Sequence, residues 1–144
     1  MTKEKYLSLI KAKGSNNAKN LRELASAGAL TDTEIIDNEK DIPFWTAKKD
    51  YSNCEVGTPV RFNNQVYGLL VPHNAADFPN FTPETEDFNW QVKHTQNPAA
   101  AKPYISGIYM LNDCCIFNDR VWVSAIDDNI TEPNLENSNW NLII

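Results

Sequence analysis

Residues 62–67 read Phe-Asn-Asn-Gln-Val-Tyr, and residues 117–122, which begin 55 positions later, read Phe-Asn-Asp-Arg-Val-Trp. In both stretches two short runs with alternating apolar residues flank an Asn-Asn or Asn-Asp pair. Asn and Asp tolerate the left-handed backbone that a two-residue hairpin turn requires. Each stretch is therefore predicted to form a β-hairpin.

The repeat continues beyond the hairpin. Pro83 precedes Trp90 by seven positions, and Pro133 precedes Trp140 by the same number. The first copy carries five extra residues between hairpin and proline, where a surface loop tolerates insertion. The period of 55 residues is longer than the usual solenoid repeat, and two copies are too few for an array. The sequence therefore predicts two small tandem modules, each a three-stranded antiparallel β-sheet.

The N-terminal segment shows helical patterns instead. Apolar residues follow helical spacing in residues 2–13 and 18–27, and Thr31–Glu34 has the Thr-x-x-Glu form of a capping box that opens a third helix. Helices this short are marginal alone, so their apolar faces must pack against something. Packing on the first module and self-association into a dimeric or trimeric bundle both remain open.

The predicted fold class is therefore mainly β with an α-helical N-terminal segment. Two prolines frame the only clear linker, which they keep fairly extended. Residues 1–42 are predicted to form a helical segment used for docking or oligomerisation. The first module is predicted to span residues 43–95 and the second residues 104–144, with residues 96–103 as the linker between them.

Charge and composition exclude several classes of protein. The net charge of −6 and the pI near 4.8 argue against a nucleic-acid partner, which needs clustered Lys and Arg. No apolar run approaches the ~20 residues that span a bilayer, and no signal-peptide core follows the charged N-terminus. Three cysteines, Cys54, Cys114 and Cys115, form a poor disulfide framework and are interpreted as small core residues. We expect synthesis in a cytoplasm and no membrane insertion.

No pattern in the chain is typical of catalysis. His73 and His94 lack further ligands at metal-binding spacing. The acidic pairs in residues 84–87 and 127–128 are interpreted as solvated loops, since glycoside hydrolysis needs carboxylates that face each other across a cleft. No nucleophile elbow, P-loop or dinucleotide fingerprint occurs. We expect a non-enzymatic protein without cofactor or metal.

Further motifs follow a similar order in the two copies. The second copy contains Tyr109, Asn112-Asp113, Phe117-Asn118, Val121-Trp122, Pro133 and Trp140. The first copy contains Gly57, Val60, Phe62-Asn63, Val66-Tyr67, His73, Pro83 and Trp90. This order of motifs resembles the small chitin- and cellulose-binding modules of carbohydrate-binding families 5 and 12.

Two stretches precede the first copy: residues 30–34 read Leu-Thr-Asp-Thr-Glu, and residues 42–45 read Ile-Pro-Phe-Trp. This arrangement is similar to the version of the module in phage and prophage structural proteins. There a short acidic helix of the form Leu-Thr-Asp-x-Glu precedes an aromatic-rich entry to the module.

The resemblance implies where a sugar would bind. In sugar-binding members, exposed aromatic side chains in the loop after the hairpin stack on pyranose faces. Residues 126–130 of the second copy contain no aromatic residue there, so any glycan site belongs to the first copy. The candidate glycan contacts are Phe81, Phe78, His73 and Tyr67. The two loop phenylalanines could equally contact a neighbouring subunit. The expected core aromatics are Phe62, Trp90, Phe117, Trp122 and Trp140.

The resemblance also implies a class of function. We expect a phage virion accessory protein on the tail, neck or capsid surface, which contacts other virion proteins or a host-surface polysaccharide and forms a homo-oligomer through its N-terminal helices. A chitin- or cellulose-type polysaccharide-binding protein is the first alternative. A cytoplasmic assembly factor absent from the finished particle is the second.

Overall fold

The structure is a computed structural model that describes residues 3–4, 17–85 and 88–143. The chain divides into two compact units, Met1–Lys93 and His94–Ile144. Except for residues 3 and 4, the helix predicted at residues 2–13 lies outside the described residues. Within the described part of the chain, no helix has the length and apolar character to cross a bilayer.

Two helices open the described part of the first unit. Helix α1 spans Asn17–Ser26 and buries Leu21 and Leu24, and helix α2 spans Asp32–Asp37. A 3₁₀ turn, Glu39–Asp41, follows and contacts α1. Thr31 Oγ1 accepts a hydrogen bond from Glu34 N, and the Glu34 carboxylate accepts one from Thr31 N. The capping box predicted from the sequence is therefore confirmed.

The first sheet has three antiparallel strands, as predicted. They are β1, Pro59–Phe62; β2, Gln65–Leu69; and β3, Trp90–Val92, in the order β1-β2-β3. Asn63 and Asn64 join β1 to β2 with φ of +48° and +60°. Left-handed backbone at both central residues matches the right-handed twist of a hairpin, which explains why asparagine occupies both positions.

Lys93, directly after β3, connects the first sheet to α2. Its Nζ lies 3.0 Å from the Asp32 carboxylate. The Lys93 side chain reaches this carboxylate by passing over Gly68 in β2, where an added Cβ would lie 2.8 Å from Lys93 Cε. Glycine at position 68 therefore leaves room for the Lys93 side chain.

The second sheet differs from the prediction because it has four strands and mixed direction. Strands β4, Lys102–Pro103; β5, Cys114–Phe117; β6, Arg120–Ser124; and β7, Trp140–Leu142, form the order β4-β5-β6-β7. β4 pairs with β5 in parallel, and the other pairs are antiparallel. Pro103 donates no backbone hydrogen bond, so it suits the edge position that β4 occupies.

The extra strand comes from the segment predicted as a linker. Within residues 96–103, a 3₁₀ turn at Pro98–Ala100 begins where Asn97 Oδ1 accepts a hydrogen bond from Ala99 N. The first unit has a reduced form of the same feature, a single parallel bridge between Phe44 and Arg61. A segment that enters each module thus adds to the edge of its sheet, which a search for alternating strand patterns does not detect.

The two units repeat the same aromatic core. Tyr51 meets Trp90 with ring centroids 5.0 Å apart, and Tyr109 meets Trp140 at 5.1 Å. Each tyrosine hydroxyl also accepts a backbone hydrogen bond, 3.1 Å long, from the entering segment. The sequence repeat therefore corresponds to a structural repeat.

The cysteines of the second unit lie in its interior. Cys114 and Cys115 are buried, and burial raises the pKa of the Cys114 thiol to about 11 and that of Cys115 to about 12. Both thiols thus stay protonated at neutral pH and pack as small apolar groups. Cys54 of the first unit is partly buried, and all three are free.

Candidate functional site

Four rings of the first unit form a continuous series from its core to its surface, which we call the aromatic row. Ring centroids lie 5.6 Å apart between Trp90 and His73, 5.7 Å between His73 and Phe78, and 6.2 Å between Phe78 and Phe81. Exposure rises from 2% at Trp90 to 46% at Phe81. Three of the four predicted glycan contacts therefore lie together, with their outer end in solvent.

Hydrogen bonds fix the inner half of the aromatic row. The His73 carbonyl accepts a bond from Tyr51 N at 2.7 Å, and His73 Nδ1 lies 2.8 Å from the Val71 carbonyl, to which it donates in the matching tautomer. Asn74 Oδ1 accepts from Ala76 N and begins the 3₁₀ turn Ala75–Asp77. The imidazole therefore has a fixed orientation against the core.

The outer half of the row is held by the backbone after this turn. Phe78 N donates to the Ala75 carbonyl, and Phe81 N donates to the Phe78 carbonyl, both at 3.0 Å. The Phe78 ring is half-buried and the Phe81 ring is exposed. Phe81 thus stands at the outer end of a supported row of rings.

Tyr67, the fourth predicted contact, does not belong to this surface. It is 2% exposed and packs in the core cluster with Val60 and Trp90. Its hydroxyl is buried without a hydrogen-bond partner among the described residues. Burial, together with the Glu84 carboxylate, raises its pKa to about 12. A side chain enclosed in this way offers no face to a sugar, so we remove Tyr67 from the candidate contacts.

The aromatics expected in the core lie in the interior of their units. Trp90, Trp122 and Trp140 are buried. Phe62 and Phe117 are partly buried and pack against the same clusters. All five therefore belong to or pack against the core clusters, whereas Phe81 is exposed.

In the second unit a polar residue takes the place of His73. Tyr109 N donates to the Asn129 carbonyl at 2.9 Å, just as Tyr51 N donates to that of His73. Asn129 is 0% exposed, and its Nδ2 donates to Ser124 Oγ and the Asn139 carbonyl, both at 3.0 Å. Its Oδ1 accepts from both N and Oγ1 of Thr131.

Asn129 directly follows Asp127 and Asp128, which are exposed, and yet it is buried. Composition alone suggests a solvated loop, because the neighbours of Asn129 are charged. No signal in the sequence identifies it, because the offset of 55 positions between the two hairpins aligns His73 with Asp128 and not with Asn129. The second unit thus replaces the aromatic row by a buried polar network.

The described residues contain no group of three or more His, Cys, Asp or Glu side chains placed to hold a metal. His73 belongs to the aromatic row. His94 stacks on Tyr109 with ring centroids 3.8 Å apart. Both imidazoles therefore take part in ring packing.

Comparison with known proteins adds no assignment: no protein-family model matches the chain, and a search of curated proteins returns no similar sequence. The candidate site therefore depends on the geometry of the aromatic row and on the resemblance in the motifs. The row itself is an apolar surface with polar neighbours in the same loop, where Asp77 and Asn80 are exposed.

Proposed function

We propose that this chain is a non-enzymatic virion accessory protein of a bacteriophage, and that its first unit contacts a host-surface glycan through the aromatic row. The observation that carries the proposal is the exposed outer end of the row, formed by Phe78 and Phe81 on a fixed base. The resemblance to phage forms of carbohydrate-binding modules supports the virion assignment.

The chemistry of a pyranose suits this surface. One face of the ring carries axial C–H groups, which bury apolar area against an aromatic ring, while the hydroxyl groups at its edge need polar partners. Asp77 and Asn80, exposed in the same loop, supply such partners. A ring held in place before binding loses little conformational entropy when the sugar arrives.

The exposed surface of the second unit suits contact with a protein better than contact with a sugar. Tyr109 and Asn129 are paired and buried, so the alternation of side chains directs Ile108 and Ile130 to the surface, and both are exposed. Exposed apolar side chains at adjacent positions are typical of an interaction surface. We therefore propose that this unit docks on another virion protein.

The Phe81→Ala substitution tests the glycan site. Loss of the exposed ring removes about 1–2 kcal/mol of stacking and apolar burial, so affinity for the glycan should fall about ten-fold. The measurement is sedimentation of the purified chain with host cell walls, insoluble chitin and cellulose. Leu135→Ala, at a side chain 74% exposed in the other unit, is the matched control and should bind normally. Unchanged binding of Phe81→Ala to every polymer that retains the parent chain would contradict the proposal.

The alternatives predict different results in the same experiments. A chitin- or cellulose-type polysaccharide-binding protein would bind those polymers at least as tightly as host cell walls. A cytoplasmic assembly factor would be absent from purified particles, whereas we expect the chain in them at a fixed copy number by quantitative mass spectrometry. Homo-oligomer formation through the N-terminal helices stays a prediction.

A further inference from the structure

The first unit contains a basic cleft of about 440 Å³ on the side of α1 and β1. Four of the 13 Lys and Arg residues of the chain line it, in a protein with a net charge of −6. The lining residues are Ala18, Arg22, Lys40, Asp41, Ile42, Pro43, Lys49 and Arg61. An acidic protein thus concentrates positive charge in one concave place.

The lining of the basic cleft contains four cations and one carboxylate, that of Asp41. In residues 3–4, 17–85 and 88–143, none of the four cations forms an ion pair, and the ion pairs there join Lys3 to Glu34, Lys19 to Glu23, and Lys93 to Asp32. Like charges that face one cleft repel each other, so a bound anion would remove an unfavourable interaction as well as add a favourable one.

Arg61 is oriented for such an anion. Its Nε donates to the Ile42 carbonyl at 2.6 Å, and its guanidinium carbon lies 4.1 Å from the centroid of the Phe44 ring. These two contacts fix the plane of the guanidinium and leave its terminal nitrogens as a fork of donors. Such a fork matches the two oxygens of a phosphate or carboxylate group.

Asp41 is the carboxylate in the lining of the basic cleft. Its Oδ2 is buried and has no hydrogen-bond partner among the described residues. An oxygen without accessible surface is out of reach of a ligand in the cleft, so it gives no reason to expect ligand hydroxyl groups. The four cations alone select the ligand, and they favour an anionic group.

We propose that the basic cleft binds a phosphate or carboxylate group carried by a small molecule. Its volume lies at the lower end of the range of small-ligand sites, about 300–1,000 Å³. A neighbouring cleft of about 320 Å³ shares Arg22 and Lys49 but adds Glu23 and Glu55, which confines the positive region to one ligand-sized area. The overall acidity of the chain would repel an extended polyanion such as nucleic acid.

This site is separate from the aromatic row, because no residue lining the cleft belongs to the row. Loss of binding at one site should therefore leave binding at the other unchanged. Phe81→Ala should leave the affinity of the basic cleft unchanged, and substitutions in the cleft should leave stacking at Phe81 intact.

The test is an NMR titration of the full ¹⁵N-labelled chain with glucose 6-phosphate, glucuronic acid, inorganic phosphate and glucose. The first two should shift the amide signals of Arg22, Lys40 and Arg61, and glucose should shift none of them. Hexaglucuronate, an extended polyanion, should bind no more tightly than glucuronic acid, because the acidity of the chain outside the cleft repels it. Tighter binding of the hexamer would overturn the assignment to a small ligand.

Substitutions at the cations give the second arm of the test. Lys40→Gln removes an exposed point charge and should weaken glucose 6-phosphate binding about five-fold, since such charges contribute up to about 1 kcal/mol. Arg61→Lys keeps the charge but loses the fork, and should weaken binding about ten-fold. Arg120→Gln, at an exposed cation of the second unit, is the matched control and should change nothing.

Three further outcomes would overturn the proposal. The first is the absence of amide shifts with either sugar anion at millimolar concentration in the natively folded chain. The second is glucose that shifts these amide signals as strongly as glucose 6-phosphate, which would remove the role of the anionic group. The third is a single-stranded DNA oligonucleotide that binds more tightly than the sugar anions, which would indicate a nucleic-acid surface.

Discussion

Trp140→Ala should lower the free energy of unfolding of the second unit by about 4 kcal/mol, which is the cost of removing a large buried aromatic side chain. Trp140 packs against Tyr109 with ring centroids 5.1 Å apart and against Tyr104 at 6.5 Å. Its Nε1 donates to the Thr131 carbonyl at 2.9 Å, so the substitution also leaves a carbonyl without its donor. Units this small have only a few kcal/mol of stability, so we expect the variant unit to be largely unfolded.

The measurement is urea unfolding followed by NMR signals assigned to each unit, because the two units need not unfold together. Trp140→Phe should cost about 1–2 kcal/mol, since it keeps most of the apolar volume but loses the hydrogen bond. The exposed control Leu135→Ala should stay within about 0.5 kcal/mol of the parent chain. An unfolding midpoint of Trp140→Ala equal to that of the control would show that this ring is not the centre of the core.

Asn129→Leu should cost about 3 kcal/mol, although the two side chains have similar size. The substitution leaves the Asn139 carbonyl and the Thr131 N–H without their partners in a buried site. Each orphaned group costs about 1–3 kcal/mol. The loss therefore comes from polar groups that remain buried rather than from a cavity.

The neighbouring Asp128 provides the matched control for Asn129. It is exposed and has a φ of +51°, a backbone conformation that asparagine also tolerates. Asp128→Asn should therefore leave the urea midpoint within about 0.5 kcal/mol. If Asn129→Leu proves as stable as this control, then the hydrogen bonds of Asn129 do not stabilise the unit.

Local features of the fold could be predicted because their causes lie within a few residues. The hairpin turns follow from the tolerance of Asn63 and Asn64 for positive φ, and the start of α2 follows from the capping side chain of Thr31. The two strands of each hairpin were predicted from the short-range alternation of apolar residues in the sequence. The aromatic row was predicted in part, since the loop composition indicated Phe78 and Phe81 without showing that His73 connects them to the core.

Features that depend on distant residues could not be predicted. The residue type of Tyr67 does not show whether the side chain lies on a surface or in a core. Only its packing with Val60 and Trp90 shows that it is buried. Asn129 is similar, because its hydrogen-bond partners are identified only when the loop closes on Ser124 and Asn139.

The sequence by itself determined that this protein has two related β units, where their hairpins turn, and which unit keeps an aromatic loop. Turn chemistry, capping and alternation are local, so they can be recognised without the fold. The tertiary structure alone decided that β4 joins the second sheet, that Tyr67 is enclosed, and that Arg22, Lys40, Lys49 and Arg61 line one cleft. The physical reason is that burial and electrostatics act through space, between side chains whose separation along the chain gives no sign of their contact.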